Sequence, residues 1–288
     1  MKKTINIRNI WINSFGLLTK KPVIILPFFV IAFLEALTLE SIYFFGRRPL
    51  SLIADPIVKK FFGEGFTHYP YHMYIIPRIF NFLQIGIYMF LGVFLTAISI
   101  NIIKNAKEGL PLKANALIKN AVARYAALFM FGIITVIIMF ILEKAGGFAF
   151  AKFTNISVKY LPSIIMKIYP FAFAVILFLA NAIIQTFLIF TMPLMIINKK
   201  SLLKALWESV VLGARNFKTV FALVFVPFLI YFPITLLKGL SIQLADKVFP
   251  EIILLILLLG VLATPFVECF VFTCVSVFLL EKDGRKEQ

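Results

Sequence analysis

The sequence predicts an all-α, polytopic membrane protein with six transmembrane helices in three parallel repeats, each preceded by an interfacial amphipathic elbow helix. Three observations predict this architecture. Hydrophobic residues make up 61% of the 288-residue chain and charged residues only 15%, the apolar residues form six long blocks, and one amphipathic pattern occurs three times. A soluble domain has about 45–50% apolar and about 25% charged residues. We therefore expect a polytopic membrane protein, with about half of the chain in its membrane spans.

Six apolar blocks are each long enough to cross a hydrocarbon core of about 30 Å as a helix. They comprise residues 23–45, 79–103, 125–142, 169–197, 220–237 and 252–280. The first block carries Glu35 and has no small-x-small cleavage site, so we expect a retained span rather than a signal peptide. Five prolines within these blocks are expected to produce ordinary kinks, namely Pro27, Pro193, Pro227, Pro233 and Pro265.

The distribution of positive charge predicts the orientation. If the N-terminus lies inside, the inner segments hold a moderate excess of the 29 Lys and Arg residues over the outer segments. Cytoplasmic loops carry such an excess, so we expect both termini on the cytoplasmic side of a prokaryotic plasma membrane, in contact with anionic lipids. The net charge of +16 flanks apolar blocks rather than covering a free basic face, which argues against nucleic-acid binding.

An amphipathic pattern precedes each odd-numbered span. Its apolar positions follow the spacing of one helix face. In chain order the three copies are Ile7, Ile10, Trp11, Ser14, Phe15 and Leu18; Ala114, Leu117, Ile118, Ala121, Val122 and Tyr125; and Leu203, Leu206, Trp207, Val210, Val211 and Ala214. We expect each copy to form an elbow helix in the interface, anchored by Trp11, Phe15, Leu117, Ile118, Leu206 and Trp207.

The repeated pattern divides a single membrane domain, residues 1–288, into units of about 1–110, 111–199 and 200–288. Each unit is expected to contain an elbow helix, an outward span, an outer loop and a returning span. Because every unit has two spans, the units share one orientation, unlike the inverted repeats of many secondary transporters.

Two short motifs carry a family resemblance. Residues 11–18, WINSFGLL, are followed by Lys20-Lys21-Pro22 and Pro27-Phe28, and residues 204–209 read KALWES. In these motifs and in its layout the chain resembles uncharacterised six-span prokaryotic membrane families that include the membrane domain of glycerophosphoryl diester phosphodiesterases. The resemblance implies a six-span layout with elbows. It implies no catalytic residues, because the phosphodiesterase barrel lies outside that membrane domain.

Polar residues within the apolar blocks are the candidate functional residues. Glu35 and Glu268 lie near the middle of their spans, where a charge costs about 3 kcal/mol, and no Lys or Arg lies at comparable depth in the six blocks. Pairs of amides mark one face each of the second and fourth spans, Asn81 with Gln84 and Asn181 with Gln185. One hypothesis is that these six residues line a polar cavity for a proton, a cation or a lipid headgroup. The alternative is interhelical hydrogen bonding that fixes the packing.

No enzyme motif is recognisable in the sequence, so we predict no catalytic residues and no cofactor. His68 and His72 have metal-ligand spacing only within a helix, and Pro70 between them argues against one, so we predict no metal site. The leading hypothesis is a non-enzymatic protein that binds or moves a small solute or lipid. The alternatives are a structural subunit that organises a protein partner or a second copy of the chain, and, third, an intramembrane hydrolase.

Overall fold

The computed structural model describes residues 6–46, 51–160 and 163–283, and the regular secondary structure of these ranges is entirely helical. The α-helices are α1 (Ile7–Lys20), α2 (Leu26–Tyr43), α3 (Ser51–Phe62), α4 (Tyr71–Ile87), α5 (Val93–Glu108), α6 (Ala114–Val122), α7 (Tyr125–Tyr160), α8 (Ser163–Leu188), α9 (Thr191–Ile196), α10 (Leu202–Arg215), α11 (Phe217–Phe228), α12 (Tyr231–Lys247) and α13 (Ile252–Asp283). The terminal residues 1–5 and 284–288, predicted to be cytoplasmic, lie outside the described ranges.

Within the described ranges, five helical segments are long and apolar enough to cross a membrane. They are Leu26–Tyr43, Tyr71–Glu108, Tyr125–Phe153, Phe171–Ile196 and Ile252–Lys282. A sixth candidate is the pair formed by α10 and α11, which meets the same test only when the two are joined and which is bent by 97°. The protein is therefore all-helical, and its helices are those of a multi-pass membrane protein.

The second membrane segment is longer than its apolar block. It runs over 38 residues, Tyr71–Glu108, and begins within the stretch predicted to be an outer loop. A π-helical turn, Tyr88–Gly92, joins α4 to α5. Such turns insert one extra residue into a helix and are frequent at functional sites. Here the turn follows Gln84, one of the candidate cavity residues, by one helical turn.

The predicted outer loop between the third and fourth spans is also largely helical. α7 continues past residue 142 to Tyr160, and α8 begins at Ser163 rather than at Tyr169. Charged residues such as Glu143 and Lys144 end the apolar block, but Glu and Lys are good helix formers. The hydrophobic pattern therefore located the membrane-compatible part of this hairpin but not the ends of its helices.

The predicted fifth span, residues 220–237, is not one continuous helix. α11 ends at Phe228, a turn follows at Leu229 and Ile230, and α12 begins at Tyr231. Proline at position 233 removes the backbone N–H that would bond to the Leu229 carbonyl, and its ring clashes with that carbonyl. The expectation of an ordinary kink is wrong here, because the helix breaks.

Helices are present at all three amphipathic stretches, as α1, α6 and α10, but their buried faces differ. Ile10 and Ser14 are buried in α1, and the equivalent Leu117 and Ala121 are buried in α6. In α10 the buried residues are small and lie one position away from the expected register, at Ala205, Ser209 and Gly213. Placement of these helices in the interface and a threefold repeat remain predictions.

The elbow anchors differ in exposure in the same way. Trp207 is 70% exposed, whereas Trp11, its predicted counterpart, is half-buried against the core. Phe15 and Ile118 are exposed, Leu117 is buried, and Leu206 is half-buried. On α10 the side chains of Leu203 and Trp207 therefore point away from the protein, as lipid-facing side chains do, whereas Leu206 packs against the core.

α13 is the central helix of the bundle. It packs against α1, α2, α5, α11 and α12. Its buried residues near the C-terminal end include Phe278, which lies 5.5 Å from Phe190, and Phe272, which stacks on Phe28 at 6.1 Å between ring centroids. Side chains on the faces of α13 therefore meet groups from helices that are far apart in the sequence.

Candidate functional site

A cavity of about 350 Å³ lies among the membrane helices, on one face of α13. α4, α7, α8, α11, α12 and α13 each contribute to its wall. Its lining residues are Gln84, Met139, Phe178, Asn181, Gln185, Phe228, Tyr231, Ile234, Thr235, Lys238, Gly260, Thr264 and Glu268. A cavity of this size falls within the range of small-molecule sites, about 300–1,000 Å³.

Helical periodicity brings the lining residues together. Gly260, Thr264 and Glu268 are four residues apart on α13 and therefore form one stripe along its face. On α12 the residues Tyr231 and Lys238 are seven apart and also share a face. The polar face of α8, which the sequence marks by Asn181 and Gln185, completes the wall.

The structure brings four of the six candidate cavity residues to the cavity itself. These are Gln84, Asn181, Gln185 and Glu268. Glu35 lies behind the wall, 3% exposed, and accepts a hydrogen bond of 3.0 Å from Nε2 of Gln84. Asn81 is exposed and is not among the lining residues, although it lies one turn before Gln84 on α4.

Lys238 is a cation at the cavity that the sequence analysis placed outside the spans. Its side chain is half-buried and packs over Gly260, where an added Cβ would lie 3.2 Å from Nζ. Lys238 and Glu35 attract each other electrostatically. The apolar blocks alone do not reveal this positive charge, because Lys238 lies one residue beyond the fifth block. The helical register of α12, which continues beyond residue 237, is the signal that identifies Lys238 as a cavity residue.

Glu268 differs from Glu35 in its surroundings. It lines the cavity, and within the part of the chain that the structure describes it makes no hydrogen bond and no ion pair. The nearby ionisable side chains are those of Tyr88, Tyr231 and Glu35, all of which interact with it electrostatically. Glu268 thus presents a carboxyl group to the cavity without a positively charged neighbour.

Aromatic rings and hydroxyl groups complete the lining, and the sequence analysis did not identify them. The rings of Phe228 and Tyr231 meet edge to face at 5.8 Å. The Tyr231 hydroxyl is in hydrogen-bonding contact with Thr264, whose own hydroxyl donates to the Gly260 carbonyl at 3.0 Å. Phe178 of α8 also lines the cavity, and its ring packs on that of Phe232 at 5.1 Å between centroids. Aromatic residues are so frequent in this sequence that only the helix register distinguishes these rings from the rest.

The site therefore combines one carboxyl group that faces the cavity, an amide-rich wall and an aromatic wall. These side chains can hold a polar molecule by hydrogen bonds and by charge, while the apolar part of that molecule contacts the aromatic rings. Among the described residues, no three or more His, Cys, Asp or Glu side chains are grouped so that they could hold a metal ion.

Comparisons with known protein families, with curated proteins and with solved structures find no match for this chain.

Proposed function

We propose that this protein binds a small polar solute or a lipid headgroup in the cavity between its membrane helices and moves it into or across the membrane. The observation that carries the proposal is the convergence of polar side chains from α4, α8, α12 and α13 on one open volume of about 350 Å³. Polar side chains are costly inside an apolar bundle and are retained there for packing or for function.

The pattern of hydrogen bonds favours binding over packing alone. If the polar residues fixed the packing, they would bond mainly to side chains of neighbouring helices. Gln84 does so with Glu35, but Asn181 donates to Leu177 within its own helix at 3.1 Å, and Glu268 makes no such bond in the described structure. Polar atoms of Asn181 and Glu268 thus remain available to a ligand.

The proposed setting is a prokaryotic plasma membrane with both termini in the cytoplasm. Three elbow-plus-hairpin units of parallel orientation fit the helices α1, α6 and α10, each of which precedes a membrane segment. The basic residues of these stretches would contact anionic lipids at the cytoplasmic face. In this proposal the protein acts without a cofactor and is not an enzyme.

The experiment that tests the proposal is equilibrium dialysis of the purified protein in lipid nanodiscs. The dialysed pool contains small amines, carboxylates, polyols and phospholipid headgroup fragments, and bound solutes are measured by mass spectrometry. We expect the protein to retain at least one solute over empty nanodiscs, and Asn181→Leu to lower that retention about tenfold, which is the usual scale for the loss of a ligand hydrogen bond.

Asn81→Leu is the matched control, because it also removes an amide from a membrane helix but lies outside the cavity. Its retention should equal that of the unaltered protein. Retention no higher than that of empty nanodiscs, or an equal loss in the two variants, would refute the proposal.

A further inference from the structure

We infer that the ligand of this cavity is a small organic cation, with its ammonium group held by Glu268 between aromatic rings. The inference rests on the proposed function, since it names the chemical class of the solute. It starts from the charges at the cavity, which are those of Glu35, Lys238 and Glu268 among the described residues.

Glu35 has two polar neighbours that favour its charged form. Lys238 attracts Glu35, and Gln84 adds a hydrogen bond to the same carboxylate. This leaves Glu268 as the group without a counter-charge, and it faces the open volume. An isolated carboxylate in an apolar environment takes up a proton unless a cation compensates its charge, so a bound cation would stabilise the charged form of Glu268. The charge that the cavity lacks is therefore positive.

The other lining groups suit an ammonium ion. Tyr231 lies near Glu268, and the rings of Phe228 and Phe178 lie on the same wall. Aromatic faces attract ammonium groups, most strongly where water is excluded. Asn181 uses its N–H group on Leu177, which leaves its carbonyl oxygen to accept a hydrogen bond from a ligand. Acceptors and rings are the partners that an N–H-bearing cation requires.

The size of the cavity and its donor set favour a molecule over a metal ion. A water molecule occupies about 30 Å³ of liquid, so a volume of about 350 Å³ far exceeds that of a bare ion. A metal ion would also need several oxygen or nitrogen ligands in a fixed geometry. Here a single carboxylate lines the cavity, and the other oxygen atoms of its polar side chains belong to neutral amides and hydroxyl groups on separate helices. An organic cation fills the volume with its own carbon skeleton.

Lys238 sets the direction in which the cation binds. It packs over Gly260, which precedes Glu268 on α13 by two helical turns, or about 12 Å along the helix axis. A positively charged group is repelled by Lys238 and attracted by Glu268. The ammonium group therefore lies at the Glu268 end, and the uncharged part of the ligand extends toward Thr264 and Gly260.

The test compares three probes of equal size and different charge, which are n-butylamine, n-butanol and butyrate. Thermal unfolding of the protein is followed in nanodiscs of phosphatidylcholine at matched ionic strength. We expect butylamine to raise the midpoint in proportion to its concentration, with no shift from butanol or butyrate, since only a ligand of the folded state stabilises it. Glu268→Gln should weaken butylamine binding at least about tenfold.

Glu40→Gln is the matched control, because it removes a carboxylate that is exposed on α2 and does not line the cavity. If Glu268→Gln does not elute as a folded protein, Glu268→Asp replaces it. Aspartate keeps the charge but withdraws it by one methylene, so we expect a weaker affinity for butylamine than in the unaltered protein.

Equal stabilisation by the three probes, or full butylamine affinity in Glu268→Gln, would overturn the inference and leave the proposed function intact. If no probe binds, the charge of the solute retained in the dialysis experiment decides whether the inference stands. A cationic solute that Glu268→Gln releases supports the inference, a neutral or anionic one overturns it, and the retention of no solute overturns both the inference and the proposed function.

Discussion

At the residue scale, Lys238 and Glu35 show how opposite charges share the interior of the bundle. Glu35 is 3% exposed and has Gln84 as its hydrogen-bond partner, while Lys238 supplies the nearby positive charge. Removing one member of a buried pair costs more than removing both, because the remaining charge is left without compensation. The stability of this pair is therefore expected to depend on both partners together.

We predict that Lys238→Met lowers the free energy of unfolding by about 2 kcal/mol, since it leaves Glu35 without its cation. The double variant Lys238→Met with Glu35→Gln should recover at least half of that loss. Both values are measured by denaturant unfolding of the purified protein in detergent micelles. Lys247→Met, an exposed position on the same helix, serves as the control and should unfold like the unaltered protein. Equal losses in Lys238→Met and in the double variant would show that the pair is not coupled.

The individual polar residues were predictable to the extent that they interrupt an apolar pattern. Gln84, Asn181, Gln185 and Glu268 stand out in the sequence, and the structure places all four at one cavity. Lys238 was missed because it follows the last residue of an apolar block, where a lysine ordinarily marks the end of a span. A hydropathy pattern locates polar residues within a block, but it does not show how far the helix continues beyond it.

At the element scale, the contact between α10 and α8 depends on small side chains. Ser209 donates a hydrogen bond of 2.6 Å to the Phe187 carbonyl of α8. An added Cβ at Gly213 would lie 2.7 Å from the Thr186 carbonyl oxygen and 3.2 Å from Cα of Phe187. Small residues allow the backbones of membrane helices to approach closely in this way. Position 213 therefore has to be glycine for the backbone of α8 to approach α10 this closely.

We predict that Gly213→Ala destabilises the protein by about 1–3 kcal/mol, because the added methyl group meets backbone atoms and the two helices must separate. Gly16→Ala in α1 is the control. No atom lies within 4 Å of its added Cβ, so the higher helix propensity of alanine should leave stability equal or slightly increased. Thermal unfolding of both variants in detergent measures the difference. A Gly213→Ala protein as stable as Gly16→Ala would contradict the close contact.

Helix boundaries were less predictable than helix positions. Most residues of the apolar blocks lie in helices, but α4 and α7 extend well beyond their blocks, since charged and aromatic residues support a helix outside the hydrocarbon core as well. The break before α12 has a visible cause in Pro233, and a similar break between α8 and α9 precedes Pro193, yet Pro265 leaves α13 continuous. Membrane helices tolerate proline where neighbouring groups re-satisfy the freed carbonyls, and one sequence does not reveal those neighbours.

At the scale of the whole molecule, the three amphipathic helices have different surroundings. Ile10 and Leu117 are buried at equivalent positions, but the third copy buries Ala205 and Ser209 instead of its expected face. A shared periodicity predicted the helices correctly, since any amphipathic helix has that period. The periodicity does not determine which side of each helix meets the protein, because a large apolar side chain is as stable in contact with lipid as in contact with the protein interior. The origin of the three units in one repeat therefore remains a prediction.

Because α11 and α12 are separate helices, the number of membrane crossings depends on whether this part of the chain spans the membrane. Five segments qualify as crossings by themselves, and the sixth candidate contains α11. If the predicted fifth span crosses the membrane as α11 followed by α12, the chain makes six crossings and its two ends lie on the same side. If it does not cross, five crossings remain and the ends lie on opposite sides. The excess of Lys and Arg in the predicted inner segments favours six crossings with both ends in the cytoplasm.

We predict the six-crossing topology, and reporter fusions measure it. A phosphatase that is active only outside the cytoplasm should be inactive when fused after Gly109, active after Val248 and inactive after Gln288. Green fluorescent protein, which fluoresces only in the cytoplasm in these fusions, should give the opposite pattern. Five crossings would instead give an inactive phosphatase after Val248 and an active one after Gln288. That result would leave α11 and α12 on the cytoplasmic side, where Lys238 could not reach a cavity between membrane helices.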